Sequence, residues 1–146
     1  FFLTLLPRGT FGIVWRHVCL SQLECARAMR KLHCSDGMMA AACAEIAAGL
    51  TDADLGSNLY KKRIPIEGRG KSGGLRTIIA SRFNGRWFIL AIWAKSDLVN
   101  IPSDQLRCLK QQTALLLELE DAAIEILIAN GSLVQILDES STTQGV

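Results

Sequence analysis

Leu23, Ala26, Met29 and Leu32 recur every three to four residues among basic neighbours, a spacing that predicts an amphipathic helix over 22–32. Ser35 is a favourable N-cap, Asp36 suits the positive end of a helix dipole, and the Ala- and Met-rich run to Ala48 stops at Gly49. A second helix follows from this, and the pair forms a helical hairpin around Leu32–Ser35. The polar stretch Leu50–Asn58 reads as a connecting loop.

The period then shortens. Leu59–Ile64 is predicted as a short strand and Pro65–Gly74 as a glycine-rich loop. Leu75–Phe83 and Arg86–Ala94 are two β-rich runs joined by Asn84-Gly85, the pattern of a tight hairpin. Pro102 and Ser103 open a third helix that reaches Leu117 with Leu106, Leu109, Leu116 and Leu117 as its apolar stripe. Asp121–Ala129 is a fourth helix closed by Asn130-Gly131, Leu133–Leu137 a last strand, and Ile13–Cys19 a further candidate strand. Helices, then a sheet, then helices define an α+β chain and not an alternating α/β one.

At 146 residues the chain has the length of one domain. Residues 1–20 read as an unassigned N-terminal extension, a fragment start or a mis-extended reading frame; 21–137 form the domain, and 138–146 a flexible tail. With 49% apolar and 21% charged residues the composition excludes a disordered or collagen-like chain. The longest apolar run at the start, Phe1–Pro7, is too short for a membrane span, and Arg8 follows it instead of preceding it. Neither a span nor a secretory signal is predicted, and the expected location is the cytoplasm. Five cysteines (Cys19, Cys25, Cys34, Cys43, Cys108) show no C-x-x-C pair, so buried thiols are expected in place of a disulfide framework or a metal site. The His33-Cys34 neighbours belong to a loop.

Charge changes the picture more than composition does. The net charge is only +2, yet Tyr60–Arg86 carries eight basic residues against the single acid Glu67, a local +7, while Asp97–Val146 carries two basic residues against eight acids, a local −6. A cationic segment of this density attracts phosphate polymers, because each neutralised phosphate releases counterions. The alternatives are a solvated basic face balanced by the acidic tail, or a surface for an acidic partner protein.

A two-residue turn at Asn84-Gly85 pairs Phe83 with Arg86 and places Arg82 opposite Trp87, Ala80 opposite Ile89, Ile78 opposite Ala91 and Arg76 opposite Trp93. One face then carries Ile79, Phe83, Phe88, Leu90 and Ile92, suited to packing under helices, and the other Arg76, Arg82, Trp87, Trp93 and Lys95. Arg76 and Lys95 flank Trp93, a platform in which guanidinium grips phosphate and indole stacks on a base. Lys61 and Arg63 share a face of the neighbouring strand by the same period of two. The competing reading makes Trp87 and Trp93 core aromatics and the arginines snorkelling edge residues. Gly68–Gly74 lacks the G-x-x-x-x-G-K-[ST] spacing of a phosphate-binding loop and reads as a mobile basic loop. His17 and His33 lie away from the cationic strands, so catalysis there falls to Lys and Arg.

The string LYKKRIPIEGRGKSGGLRTIIASRFNGRWFILAIWAKSDLVNI resembles the RelE-like toxins of bacterial type II toxin–antitoxin modules, with their K-K-R, G-x-G-K-S-G-G and R-T strand-loop-strand and A-K strand end. The resemblance runs from about Ala26 to Leu137. It implies a small twisted antiparallel sheet with an N-terminal helical hairpin and C-terminal helices packed on one face. It also implies ribosome-dependent cleavage of mRNA by attack of a ribose 2′-hydroxyl on the adjacent phosphate, inhibition by a cognate antitoxin protein, and no metal or other cofactor.

Carried over residue by residue, the resemblance makes Arg76 the ligand of the scissile phosphate and assigns Lys61 and Arg63 to RNA contact or the base role. Lys95 matches the lysine at the end of the following strand. Lys62, Arg69, Lys71, Arg82 and Trp93 are candidates for RNA contacts. One position departs from the family pattern: a second arginine expected three residues beyond Lys95 is Leu98 here. Loss of one charge-assisted phosphate contact is worth roughly 10² to 10³ in rate. The expectation therefore stays open between an active ribonuclease, a non-catalytic protein that still binds antitoxin, and a gyrase inhibitor of the related ParE branch.

Overall fold

The computed structural model describes residues 18–66, 70–83, 85–97 and 100–136. Their elements run β1 (Val18–Gln22), α1 (Leu23–Lys31), α2 (Asp36–Ala47), β2 (Ala53–Gly56), β3 (Leu59–Ile66), β4 (Gly70–Ala80), β5 (Arg86–Ala94), α3 (Ser103–Leu117), α4 (Asp121–Ala129) and β6 (Leu133–Ile136). The expected α+β class and all four helices are present. Ser35 caps α2 as its side chain predicts: Met38 N–H donates to Ser35 Oγ at 3.1 Å, and the Ser35 N–H points back at Met38 Sδ at 3.5 Å. A thioether here takes the place of the Glu or Gln usual in a reciprocal cap.

The strands form one six-stranded sheet in the order β2-β3-β4-β5-β1-β6. β2 to β5 are an antiparallel meander. β1 then lies parallel to β5, with Val18 opposite Arg86, and antiparallel to β6, with Cys19 opposite Ile136. The candidate strand near the start is thus β1, which begins at Val18; residues 13–17, like the tail 138–146, lie outside the described residues.

Three local expectations change. The stretch 50–58, expected as a loop, holds β2, because Ser57 and Asn58 both take positive φ (56° and 66°) and close a two-residue turn with Gly56 opposite Leu59. Such a turn matches the twist of the flanking strands. The glycine-rich stretch is also largely strand: β3 continues to Ile66, β4 begins at Gly70, and Ile66 pairs with Gly70. Gly74 is required there, since a Cβ would stand 2.3 Å from the Ile64 carbonyl oxygen.

The β4–β5 connection is wider than the Asn84-Gly85 pair alone. β4 ends at Ala80; Ser81 Oγ donates to the Arg86 carbonyl at 2.8 Å and accepts the Phe83 N–H at 2.9 Å, holding Phe83 at φ 60°. The expected register survives at Arg76–Trp93 and Ile78–Ala91. It slips by one at Ile79–Ile89 and Ala80–Phe88, because Leu90 is an extra residue in β5.

The helices do not share one face. Cys25, Met29, Met39, Ala42 and Ile46 of α1 and α2 pack with Ile64, Leu75, Ile79 and Ile89 on one side of the sheet. Leu117 and Ile124 of α3 and α4 pack with Leu59, Ile78, Ala80, Phe88 and Leu90 on the other. This corrects the expectation of helices on a single face. The cause is in the central strands: β4 and β5 are apolar on both sides, as a sheet covered twice demands. Phe88 and Leu90 therefore face away from Ile79 and Ile92, with which they were grouped.

Candidate functional site

Side-chain alternation along β3 sends Lys61 and Arg63 to the same side as Arg76, whose strand pairs Arg63 with Arg76 and Arg76 with Trp93. Lys95 follows β5 directly and extends its ladder, its N–H donating to the Gly74 carbonyl at 3.2 Å. Lys61, Arg63, Arg76 and Lys95 line one open cleft of about 290 Å³, together with Asp52, Ala53 and Asn100. All four side chains singled out as catalytic candidates thus meet at one place, on the α3/α4 side of the sheet.

Four cations face a single carboxylate in this cleft, a net +3. Arg76 is only 6% exposed. Its Nη1 donates to the Leu75 carbonyl at 3.2 Å, and among the described residues it has no carboxylate partner. A guanidinium withdrawn from water without a counter-ion carries an unreturned desolvation cost, which an incoming anion offsets. Lys61 Nζ donates to Asn100 Oδ1 at 2.8 Å.

Asp52 binds Arg63 twice. Its Oδ1 accepts from Arg63 Nε at 3.0 Å and its Oδ2 from the Arg63 backbone N–H. Partial burial pushes the Asp52 carboxyl up, but the two hydrogen bonds from Arg63 and the charges of Arg63 and Lys62 outweigh that and hold it below its ordinary value. Neither Asp52 nor Asn100 was singled out by the sequence. Asp52 sits in a polar Thr-Asp-Ala-Asp run that looks like any loop, and Asn100 becomes meaningful only when the chain returns beside Lys61.

Other candidates lie elsewhere. Lys62, expected at the RNA surface, is 8% exposed on the opposite face, where Nζ pairs with Glu45 Oε1 and donates to the Leu50 carbonyl, both at 2.8 Å. It is one residue out of phase with Lys61 and Arg63, and its charge is spent on fastening β3 to α2. Arg82 turns to the end of α3, donating to Glu118 Oε1 at 2.8 Å and to the Leu117 carbonyl at 3.5 Å. Trp93 stands opposite Arg76 but packs, partly buried, against the Leu117–Ile124 cluster. Trp87 joins the other cluster, its ring 5.5 Å from that of Phe83 in edge-to-face contact, so the two tryptophans do not form one platform. Arg69, Leu98 and the Lys71 side chain lie outside the described residues.

The cleft offers anion-binding groups more than ligands for a cation. Among the described residues no three His, Cys, Asp or Glu side chains gather at one point. Crowded ammonium and guanidinium groups around a partly buried arginine suit a phosphodiester, binding its oxygens and stabilising charge that develops on them.

The family model described as the RelE toxin of the RelE/RelB toxin–antitoxin system matches residues 20–136. No curated protein matches the chain.

Proposed function

The chain belongs to the RelE toxin family, toxins of toxin–antitoxin modules, and we propose that it is an endoribonuclease that cuts translated mRNA on the ribosome. The observation that carries this reading is the cleft itself: Arg76, buried and without a carboxylate partner among the described residues, beside Lys61, Arg63 and Lys95. In the reaction the ribose 2′-oxygen forms a bond to phosphorus and the bond from phosphorus to the 5′-oxygen breaks. One proton leaves the 2′-hydroxyl and one reaches the departing 5′-oxygen. Arg76 and Arg63 hold the phosphate oxygens and stabilise the pentavalent charge; the proton transfers fall to Lys61 and Lys95. The inhibitory partner is an antitoxin protein with an acidic segment for the cleft, and the site of action is the cytoplasm. Among the described residues no helix is long and apolar enough to cross a membrane.

The test is induced expression of the wild type and of Arg76→Ala, with mapping of message ends. Growth arrest with cuts inside translated message, abolished by Arg76→Ala, supports the reading. Arrest with intact message and damaged DNA overturns it in favour of gyrase inhibition, and absence of arrest with retained antitoxin binding overturns it in favour of a non-catalytic protein.

A further inference from the structure

We propose that Asp52 is a positioning residue: its carboxylate fixes the Arg63 side chain so that the two terminal amino groups, and not Nε, meet a phosphate in the cleft. The inference rests on the ribonuclease reading above for its catalytic consequence, but the contact itself stands on geometry.

Both carboxylate oxygens of Asp52 go to the same residue, one to the Arg63 amide N–H and the other to its Nε. Asp52 is anchored in turn, its own N–H donating to the Lys61 carbonyl at 3.0 Å. β2 begins only at Ala53, so the Arg63 N–H faces a place where the ladder has run out, and a side chain takes the bond the next strand residue would have made. The result is a closed loop of hydrogen bonds from the Arg63 backbone through the carboxylate to the Arg63 side chain. Half of that side chain is exposed, and a long arginine at such a surface otherwise samples many rotamers. With Nε occupied, the guanidinium retains the Nη1/Nη2 edge, which can bind two phosphate oxygens at once.

A carboxylate among four cations has a second conceivable effect, the cancelling of one positive charge. The two effects differ in sign. If Asp52 only weakened the field, Asp52→Ala would take the cleft from +3 to +4, bind RNA more tightly and cut at least as fast. If it positions Arg63, the same substitution leaves binding intact or stronger and slows the chemical step, because a misplaced contact is missed in the transition state more than in the ground state.

The experiment compares wild type, Asp52→Ala and Asp52→Asn in cleavage of ribosome-bound message, and follows the Arg63 Nε–H by NMR of isotope-labelled protein. Expected are a kcat lowered about tenfold to a hundredfold in Asp52→Ala, a KM that does not rise by more than about twofold, and an intermediate kcat in Asp52→Asn, whose amide oxygen accepts one of the two bonds. The Arg63 Nε–H should exchange slowly in the wild type and fast in Asp52→Ala. An unchanged or raised kcat in Asp52→Ala, or an Nε–H that exchanges as fast in the wild type as in the variant, overturns the proposal. Should the wild type cut no message at all, it is the ribonuclease reading that falls, and the exchange measurement, made on whichever variant folds, still decides the contact.

Discussion

Arg63 and Arg76 stand directly opposite each other on β3 and β4. Like charges at facing positions of a sheet destabilise it, and Asp52 compensates only Arg63. The remaining uncompensated guanidinium gives an expected outcome in which activity and stability part company. Arg76→Met, which keeps most of the side-chain volume, should lower the cleavage rate about 10²- to 10³-fold while leaving the thermal midpoint unchanged or higher. An RNA fragment should raise the midpoint of the wild type more than that of the variant, which keeps Lys61, Arg63 and Lys95 in the cleft. Thermal unfolding with and without the fragment, beside a cleavage assay, checks this; a large drop in the midpoint of the free variant would contradict it.

Lys62 and its neighbours separate charge from function. Lys62→Ala removes the bonds to Glu45 and to the Leu50 carbonyl and should cost about 1–2 kcal/mol, the lower figure favoured because Glu45 is half exposed. Urea unfolding reads that cost. RNA affinity should hardly change, whereas Lys61→Ala should weaken it and flatten its salt dependence by about one counter-ion.

Asp52 sets an acid limit. Its carboxyl is held below its ordinary value in the folded chain, so the unfolded chain takes up the proton first as the pH falls. The stabilisation is therefore complete above the ordinary value of 3.8 and disappears as the pH drops through the lowered one. The difference in thermal midpoint between wild type and Asp52→Asn should be constant near neutrality and shrink as the pH falls below the ordinary value of 3.8. A difference that persists undiminished in acid would refute the assignment.

The thiols should divide by burial. Burial, followed by the nearby Glu24 carboxylate, pushes Cys25 up to about 11, and burial followed by Asp36 does the same to Cys34. Both are packed in the core, as is Cys43, while Cys108 is exposed on α3. Peptide mapping after brief alkylation near neutral pH should find label on Cys108 and none on Cys25, Cys34 or Cys43 until urea is added.

Gly74 tests the close approach of β3 and β4. A methyl group there meets the Ile64 carbonyl at 2.3 Å, and backbone cannot step aside as a side chain can. Gly74→Ala should cost about 1–3 kcal/mol or more and reduce activity as well, because the strands it spreads carry Arg63 and Arg76. Chemical unfolding and cleavage should decline together.

Much of this site was legible from one period and one turn. The period of two placed Lys61 with Arg63, and counting out from Asn84-Gly85 placed Arg76 opposite Trp93, as the structure has them. The same period put Lys62 on the far face, and only its charge made it a candidate for RNA. Ser35 and Pro102 marked helix starts because capping is a local matter. What escaped the sequence was non-local or a miscount. The insertion of β1 beside β5 rests on pairings between distant segments, the extra Leu90 shifts every pair beyond it, and the partnership of Asp52 with Arg63 crosses from one strand's end to another.

The sheet closes in two very different ways. β2 to β5 are joined in sequence by turns, and the cleft depends on those strands. β1, in contrast, joins Cys19 to Ile136, near opposite ends of the matched region. Short-range closure is fast and long-range closure slow. A chain emerging from the ribosome can therefore assemble its phosphate-binding strands early and add β1 beside β5, but β1 stays an open edge until β6 is made. Among the described strands, the last in sequence, β6, thus covers the edge left by the first, β1.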